Sequence, residues 1–125
     1  MVVDSFSVLA ILFRAPQREM FLEKLSFAKV KLVPAFSVYE MSVAFPTRLN
    51  FLDVDEFLVS FRITIVPFET KQDYLAREAY ARYGMGRDKA SLNLGDCCTD
   101  ALAKQTGHPL LFKGNDFAQT ALPAA

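Results

Sequence analysis

Asn93 to Phe117 reads NLGDCCTDALAKQTGHPLLFKGNDF. This stretch holds a helix, a short buried strand and a polar loop in succession. Asp96 falls in the first turn of the helix, and Asp100 follows four residues later on the same face. Gly107 is placed to stop the helix, and Pro109 prevents its continuation. Leu110, Leu111 and Phe112 make an apolar run too short for a helix and right for a buried strand. Lys113-Gly114-Asn115-Asp116 then sets another carboxylate just past that strand. A helix that delivers its chain into a buried strand is half of an α/β repeat, and the upstream sequence supplies the rest.

Met1-Val2-Val3 reads as a wholly apolar strand ended by Asp4, with Ser5 able to cap a buried helix from Phe6 to Phe13. Asp4 has two readings. It is a helix cap, the commoner role for such a residue, or a carboxylate at the carboxyl end of a strand, where open α/β sheets hold ligands. Pro16 suits the first turn of a second helix, with Met20, Phe21, Leu25 and Phe27 along one face. Lys29 to Val33 alternates lysine with apolar residues, the pattern of a short edge strand, and Pro34 ends it. Ala35 to Ala44 reads as a third helix with Ser37 as its cap. Glu40 stands inside it among Val38, Tyr39, Met41 and Val43. Two readings of Glu40 balance: a solvated residue on a narrow polar stripe, or a carboxylate aimed into a polar pocket. Pro46 kinks or ends this helix.

Phe51 to Phe61 reads as a fourth helix whose Asp53, Asp55 and Glu56 favour its N-terminus as an ordinary solvated face. Ile63 to Val66 is a β-branched strand. Thr70 to Tyr83 is a long helix with Leu75, Ala79, Arg82 and Tyr83 toward its buried side, ended by Gly84. The loop Gly84 to Lys89 lacks the spacing of a phosphate loop. Its Arg87 and Lys89 read as solvated. His108, past the last helix, reads as structural. From about residue 121 the Ala/Pro tail is expected to fray.

Strands alternate with helices throughout, which predicts a single-domain α/β/α sandwich with a central, mainly parallel sheet over residues 1–125. The 125 residues are 52% hydrophobic and 22% charged, enough for a real core. Lys+Arg and Asp+Glu both number 14, so overall charge favours no nucleic-acid partner and any such surface must be local. No run approaches a membrane span and no signal peptide is expected, which suits the cytoplasm. The two cysteines, Cys97 and Cys98, are adjacent and cannot form an ordinary disulfide with each other. One histidine and no spaced cysteine pair argue against zinc.

In a parallel sheet Asp4 and Asp116 follow strands at the same rim. Asp96 begins a helix that can start there, and Glu40 can complete the set. Four such carboxylates repel unless one takes a proton or a divalent cation joins them. Oxygen-only ligands suit Mg²⁺ or Mn²⁺, which orients a phosphodiester and lowers the pKa of water. A receiver-like signalling domain also clusters acids, but Ile63 to Val66 is followed by Pro67-Phe68 and no phosphoacceptor.

Val2-Val3-Asp4-Ser5, Glu40 in the third helix, Asn93-Leu94-Gly95-Asp96-Cys97 and Gly114-Asn115-Asp116-Phe117 together resemble the PIN-domain ribonuclease toxins of the VapC type, over nearly the whole chain. The resemblance implies a Mg²⁺- or Mn²⁺-dependent endoribonuclease with Asp4, Glu40, Asp96 and Asp116 as its acidic catalytic and metal site. It also implies an RNA substrate, a VapB-type antitoxin, a homodimer, and operator DNA reached only through the antitoxin complex. Arg87, Lys89 and Lys113 are the candidates for RNA backbone contact. Phe6 stands where the family usually has a small hydroxyl residue, and Asp100 where an apolar one is expected. These departures motivate the alternative, a PIN-like scaffold that binds an antitoxin without cutting RNA. Asp100 would then add a fifth carboxylate or simply face water, and Phe6 would crowd the rim or turn into the core.

Overall fold

The structure, a computed structural model, describes residues 1–44, 50–86, 88–114, 118, 120 and 123–125. Pro46, Arg87, Asn115, Asp116 and Phe117 lie outside the described residues. The chain runs β1 (Val2–Val3), α1 (Ser5–Leu12), α2 (Arg18–Phe27), β2 (Leu32–Pro34), α3 (Ala35–Ala44), α4 (Phe51–Ser60), β3 (Thr64–Val66), α5 (Thr70–Tyr83), α6 (Leu94–Thr106) and β4 (Leu110–Leu111).

The four strands make one sheet in the order β3-β2-β1-β4, every pair parallel. Parallel neighbours need long crossovers, and here each crossover is a pair of helices. β1 lies inside the sheet and is covered on both faces, which is why it is apolar without alternation. Its two side chains still divide by face. Val3 packs with Val8, Phe21, Leu25, Met41 and Leu111, whereas Val2 packs with Ala79, Tyr83, Leu102 and Leu110. Helices therefore cover both faces of the sheet, as the alternation of elements predicts.

The order of strands also places a crevice suited to a ligand. From β1 the chain moves one way to β2 and β3, and β4 then returns to the other side of β1. The crevice at the carboxyl ends of β1 and β4 is thus a topological switch point, where open α/β sheets place ligands.

Four local expectations change. The lysine-alternating segment is not an edge: pairing begins only at Leu32, and β2 is an inner strand. The β-branched run supplies the edge instead, with Thr64 and Ile65 exposed. β1 offers two residues for pairing, so the lysines upstream of Leu32 are left as the approach to the sheet. Helix α2 meets the core through Phe21, Leu22 and Leu25, and Phe27 is 81% exposed. Arg82 is exposed, and Gln72 and Ala76 take the buried side of α5 with Ala79 and Tyr83. Where a frayed tail is expected, Pro123 O accepts from Leu110 N at 3.0 Å and Ala125 N donates to Leu110 O at 2.8 Å, extending the sheet past β4.

Gln72 is buried, and neither end of its amide has a hydrogen-bond partner. Such a group costs its desolvation without return. Gln72→Met keeps an unbranched side chain of comparable length and removes that cost, so a stabilisation of about 1 kcal/mol is expected, read as a higher urea midpoint. A lower midpoint would contradict the unsatisfied amide.

Candidate active site

Asp4 directly follows β1, and its N–H donates to Leu111 O at 2.9 Å, so the end of β4 fixes its place. Its backbone is extended (φ −78°, ψ 149°), and its Oδ2 accepts from Phe6 N at 3.1 Å. Asp4, not Ser5, is therefore the cap of α1, and the cap reading and the rim reading both hold. The side chain is 1% exposed.

Asp96 reaches the same rim by a different device. Asn93 caps α6: its Oδ1 accepts from Asp96 N at 2.8 Å, and Asp96 Oδ2 accepts from Asn93 N at 3.0 Å. This reciprocal capping box locks the Asp96 carboxylate at the positive end of the helix dipole, 3% exposed.

Glu40 arrives from the second turn of α3 and is half-buried. Ser5 Oγ donates to its Oε1 at 3.1 Å. Its carboxylate lies against Gly95, where an added Cβ would come within 2.5 Å of Oε2. Gly95 is thus required for close approach of Glu40 to α6. Ser37 does not cap α3. It is buried and 3.4 Å from Thr99 Oγ1, and Thr99 in turn donates to Gly95 O at 3.2 Å. This chain of contacts holds α3 against the first turn of α6.

The carboxylates sense one another. Burial pushes the Asp4 carboxyl up from 3.8 to about 8, and the charges of Asp96 and Glu40 add to the rise, while the Phe6 and Ser5 N–H groups oppose it. Among the described residues, no three carboxylate, imidazole or thiol groups already form an ion cage. Asp116, the fourth residue expected here, lies outside them; the chain leading to it leaves β4 beside Asp4.

Asp100 takes neither expected role. It is completely buried, and Lys104 Nζ lies 2.9 Å from its Oδ2. Burial holds its carboxyl above the usual range, and Lys104 and Arg82 draw it back. Phe6 is 42% exposed and does not turn into the core. Burial, with Asp100 and Asp96, pushes the Cys97 thiol up to about 12; burial, with Glu40 and Asp73, pushes Cys98 to about 11. Neither is a thiolate nucleophile at neutral pH. Lys89 and Lys113 are exposed.

Ser5, Gly95 and Asn93 stand in the quoted motifs, but their roles in holding Glu40 and Asp96 emerge only in the structure. The Asn-x-x-Asp spacing is a legible capping box. The Ser5–Glu40 bond and the Gly95 contact join residues distant in sequence and leave no local signal.

The PIN domain family model matches residues 1–122. The chain belongs to the PIN-domain family. Within it the relatives are of the VapC type. A Ribonuclease VapC of Mycolicibacterium smegmatis is 35% identical over 99% of this chain and 98% of its own length. Ribonuclease VapC30 of Mycobacterium tuberculosis is 35% identical over 96% of this chain and 94% of its own. A solved toxin-antitoxin complex from Klebsiella pneumoniae shares the fold, with a TM-score of 0.71 over 96% of this chain and 92% of that one at 13% identity.

The raised Asp4 value has a sign for the isolated PIN domain. The folded chain keeps a proton that the unfolded chain releases between about pH 4 and about pH 8, so stability falls as pH rises through that window and levels off above it. Thermal unfolding of the metal-free protein is expected to show this fall, and Asp4→Asn to remove most of it. An unchanged slope in Asp4→Asn would contradict the assignment.

Proposed function

We propose that this PIN domain is a metal-dependent endoribonuclease, the toxin of a toxin–antitoxin pair. The observation that carries the reading is the meeting of Asp4, Glu40 and Asp96, from β1, α3 and α6, at the switch point of the sheet. The names of the VapC relatives, both ribonucleases, point the same way.

The donor set fits a hard cation. It is made of carboxylate oxygens, Asp4 and Asp96 are buried, and the charges of Asp96 and Glu40 add to the burial that raises the proton affinity of Asp4. Asp4, Glu40, Asp96 and Asp116 would hold Mg²⁺ or Mn²⁺, which when bound supplies Lewis acidity and an activated water for attack on a phosphodiester. The chain's own groups do the rest. Ser5 fixes the Glu40 carboxylate, and Gly95 lets it reach α6. The N-termini of α1 and α6 bring positive dipole ends to the rim, which favours both the carboxylates and an approaching phosphate. Lys89, Lys113 and Arg87 are the cations for the RNA backbone.

A VapB-type antitoxin and homodimerisation complete the proposal, with operator DNA bound through the complex and the cytoplasm as the compartment. A groove of about 400 Å³ between α1 and α4, lined by Leu12, Phe13, Phe57 and Phe61 with Asp53 and Glu56 at its side, suits an amphipathic helix carrying basic residues. No helix among the described residues is long and apolar enough to cross a membrane.

Asp96→Asn keeps a side-chain oxygen for the Asn93 N–H, so the fold should survive. Mg²⁺- or Mn²⁺-dependent RNA cleavage should fall at least about 100-fold, with an unchanged circular dichroism spectrum. A variant as active as the parent would remove Asp96 from the site. A parent that neither binds Mn²⁺ nor cuts RNA would favour the scaffold.

A further inference from the structure

The two helices that carry Glu40 and Asp96 also wall a second feature. Between α3, α5 and α6 lies a cleft of about 360 Å³. Phe36, Phe68, Tyr80 and Leu94 surround it, Cys98 lies at its base, and Arg77 stands at its side. Its polar content is the pair Arg77–Asp73, at 3.0 Å. Phe36 is one turn before Glu40 on α3, and Leu94 is two residues before Asp96 on α6, so the cleft is walled by the same helix segments that carry the two carboxylates. Leu94 is 68% exposed and Phe68 44%, so the mouth presents apolar surface to water beside a charged site.

The chemistry of the walls narrows the occupant. Aromatic faces over an apolar base take a flat π-system, and a guanidinium paired with a carboxylate offers both donors and acceptors to a polar ring edge. A phosphate would find Arg77 already paired with Asp73 at 3.0 Å among mostly apolar and aromatic walls, a poorer match than a flat ring. A nucleic-acid base is such a ring, because every base has a π-face for an aromatic wall. The position agrees: the helices that wall the cleft are the ones that bring Glu40 and Asp96 to the rim.

We propose that the cleft receives one unstacked nucleobase of the RNA, that of a nucleotide flanking the scissile phosphate. This rests on the ribonuclease reading and adds to it the residues that would hold a base beside the cut. A base held in a duplex is stacked on both sides and cannot enter without being extruded. Phe68 and Leu94 are then specificity-determining residues, and Arg77 reads the base edge.

The test uses the full chain with Mn²⁺ and a mixed-sequence RNA oligonucleotide in which the cut is first mapped. The oligonucleotide is then remade with an abasic ribose on either side of that cut. One abasic RNA should lose about tenfold in kcat/KM, the scale of one base–aromatic stack. Phe68→Ala and Leu94→Ala, both changes at exposed side chains, should lose a similar factor on intact RNA. They should lose nothing further on the abasic RNA, because both changes remove the same contact. A merely structural role would lower both substrates alike. A parent that cuts both abasic RNAs as fast as the intact one overturns the proposal and leaves the nuclease standing. Equal losses on intact and abasic RNA, with variants that sediment as monomers where the parent is a dimer, assign the cleft to a second copy and also overturn it. A parent that cuts no RNA with either metal ends the ribonuclease reading, and this proposal with it.

Discussion

The pairing of β1 with β4 decides where this molecule can do chemistry. Each strand is two residues long, yet β1 is the strand on which the chain turns back across its own sheet. The bond from Asp4 N to Leu111 O fixes the residue after β1 against the end of β4. Once Asp4 is fixed there, burial makes its charge expensive, and the acids of α3 and α6 make it more so. Two helix N-termini and the hydroxyl of Ser5 soften the repulsion without removing it. The fold gathers groups of one sign at the site, and that is the basis of the proposed cation site.

The supporting contacts are short-range and each serves the same end. The capping box holds Asp96 to the first turn of α6, and Ser37 and Thr99 tie α3 to that turn. Gly95 then leaves room for Glu40, where any side chain would meet the carboxylate. One turn further along α6, Asp100 is neutralised by Lys104, with Arg82 nearby. One helix therefore carries two buried aspartates in opposite circumstances. One is paired within its own helix, and the other faces acids from elsewhere in the chain.

Much of this was legible in the sequence, and the limits were physical. The ends of α3 and α5 and the stop at Gly107 are local signals of composition and backbone freedom, and all were read. Parallel topology brings the ends of β1 and β4 to one rim and so places Asp4; Asp96 and Glu40 were assigned there by the family resemblance. Which strand lies at the edge was not legible, because lysines approaching Leu32 imitate the alternation of an edge strand. The fate of Asp100 was equally hidden. Its partner four residues on is visible, but its burial depends on α5 packing over α6. Phe27 and Met20 mark the opposite error: helical periodicity shows which residues share a face, not whether anything covers it.

The central claim is that Asp4 holds a proton at neutral pH because it is buried and other carboxylates share its pocket, and that it yields the proton when a divalent cation joins them. Calorimetric titration of the protein with Mn²⁺ at neutral pH, repeated in buffers of different ionisation enthalpy, measures that proton directly. Release of about one proton per bound ion in the parent, and of none in Asp4→Asn, is the expected result. Binding without proton release in the parent would show that Asp4 is already ionised, and would contradict the picture of acids forced together at the end of β1.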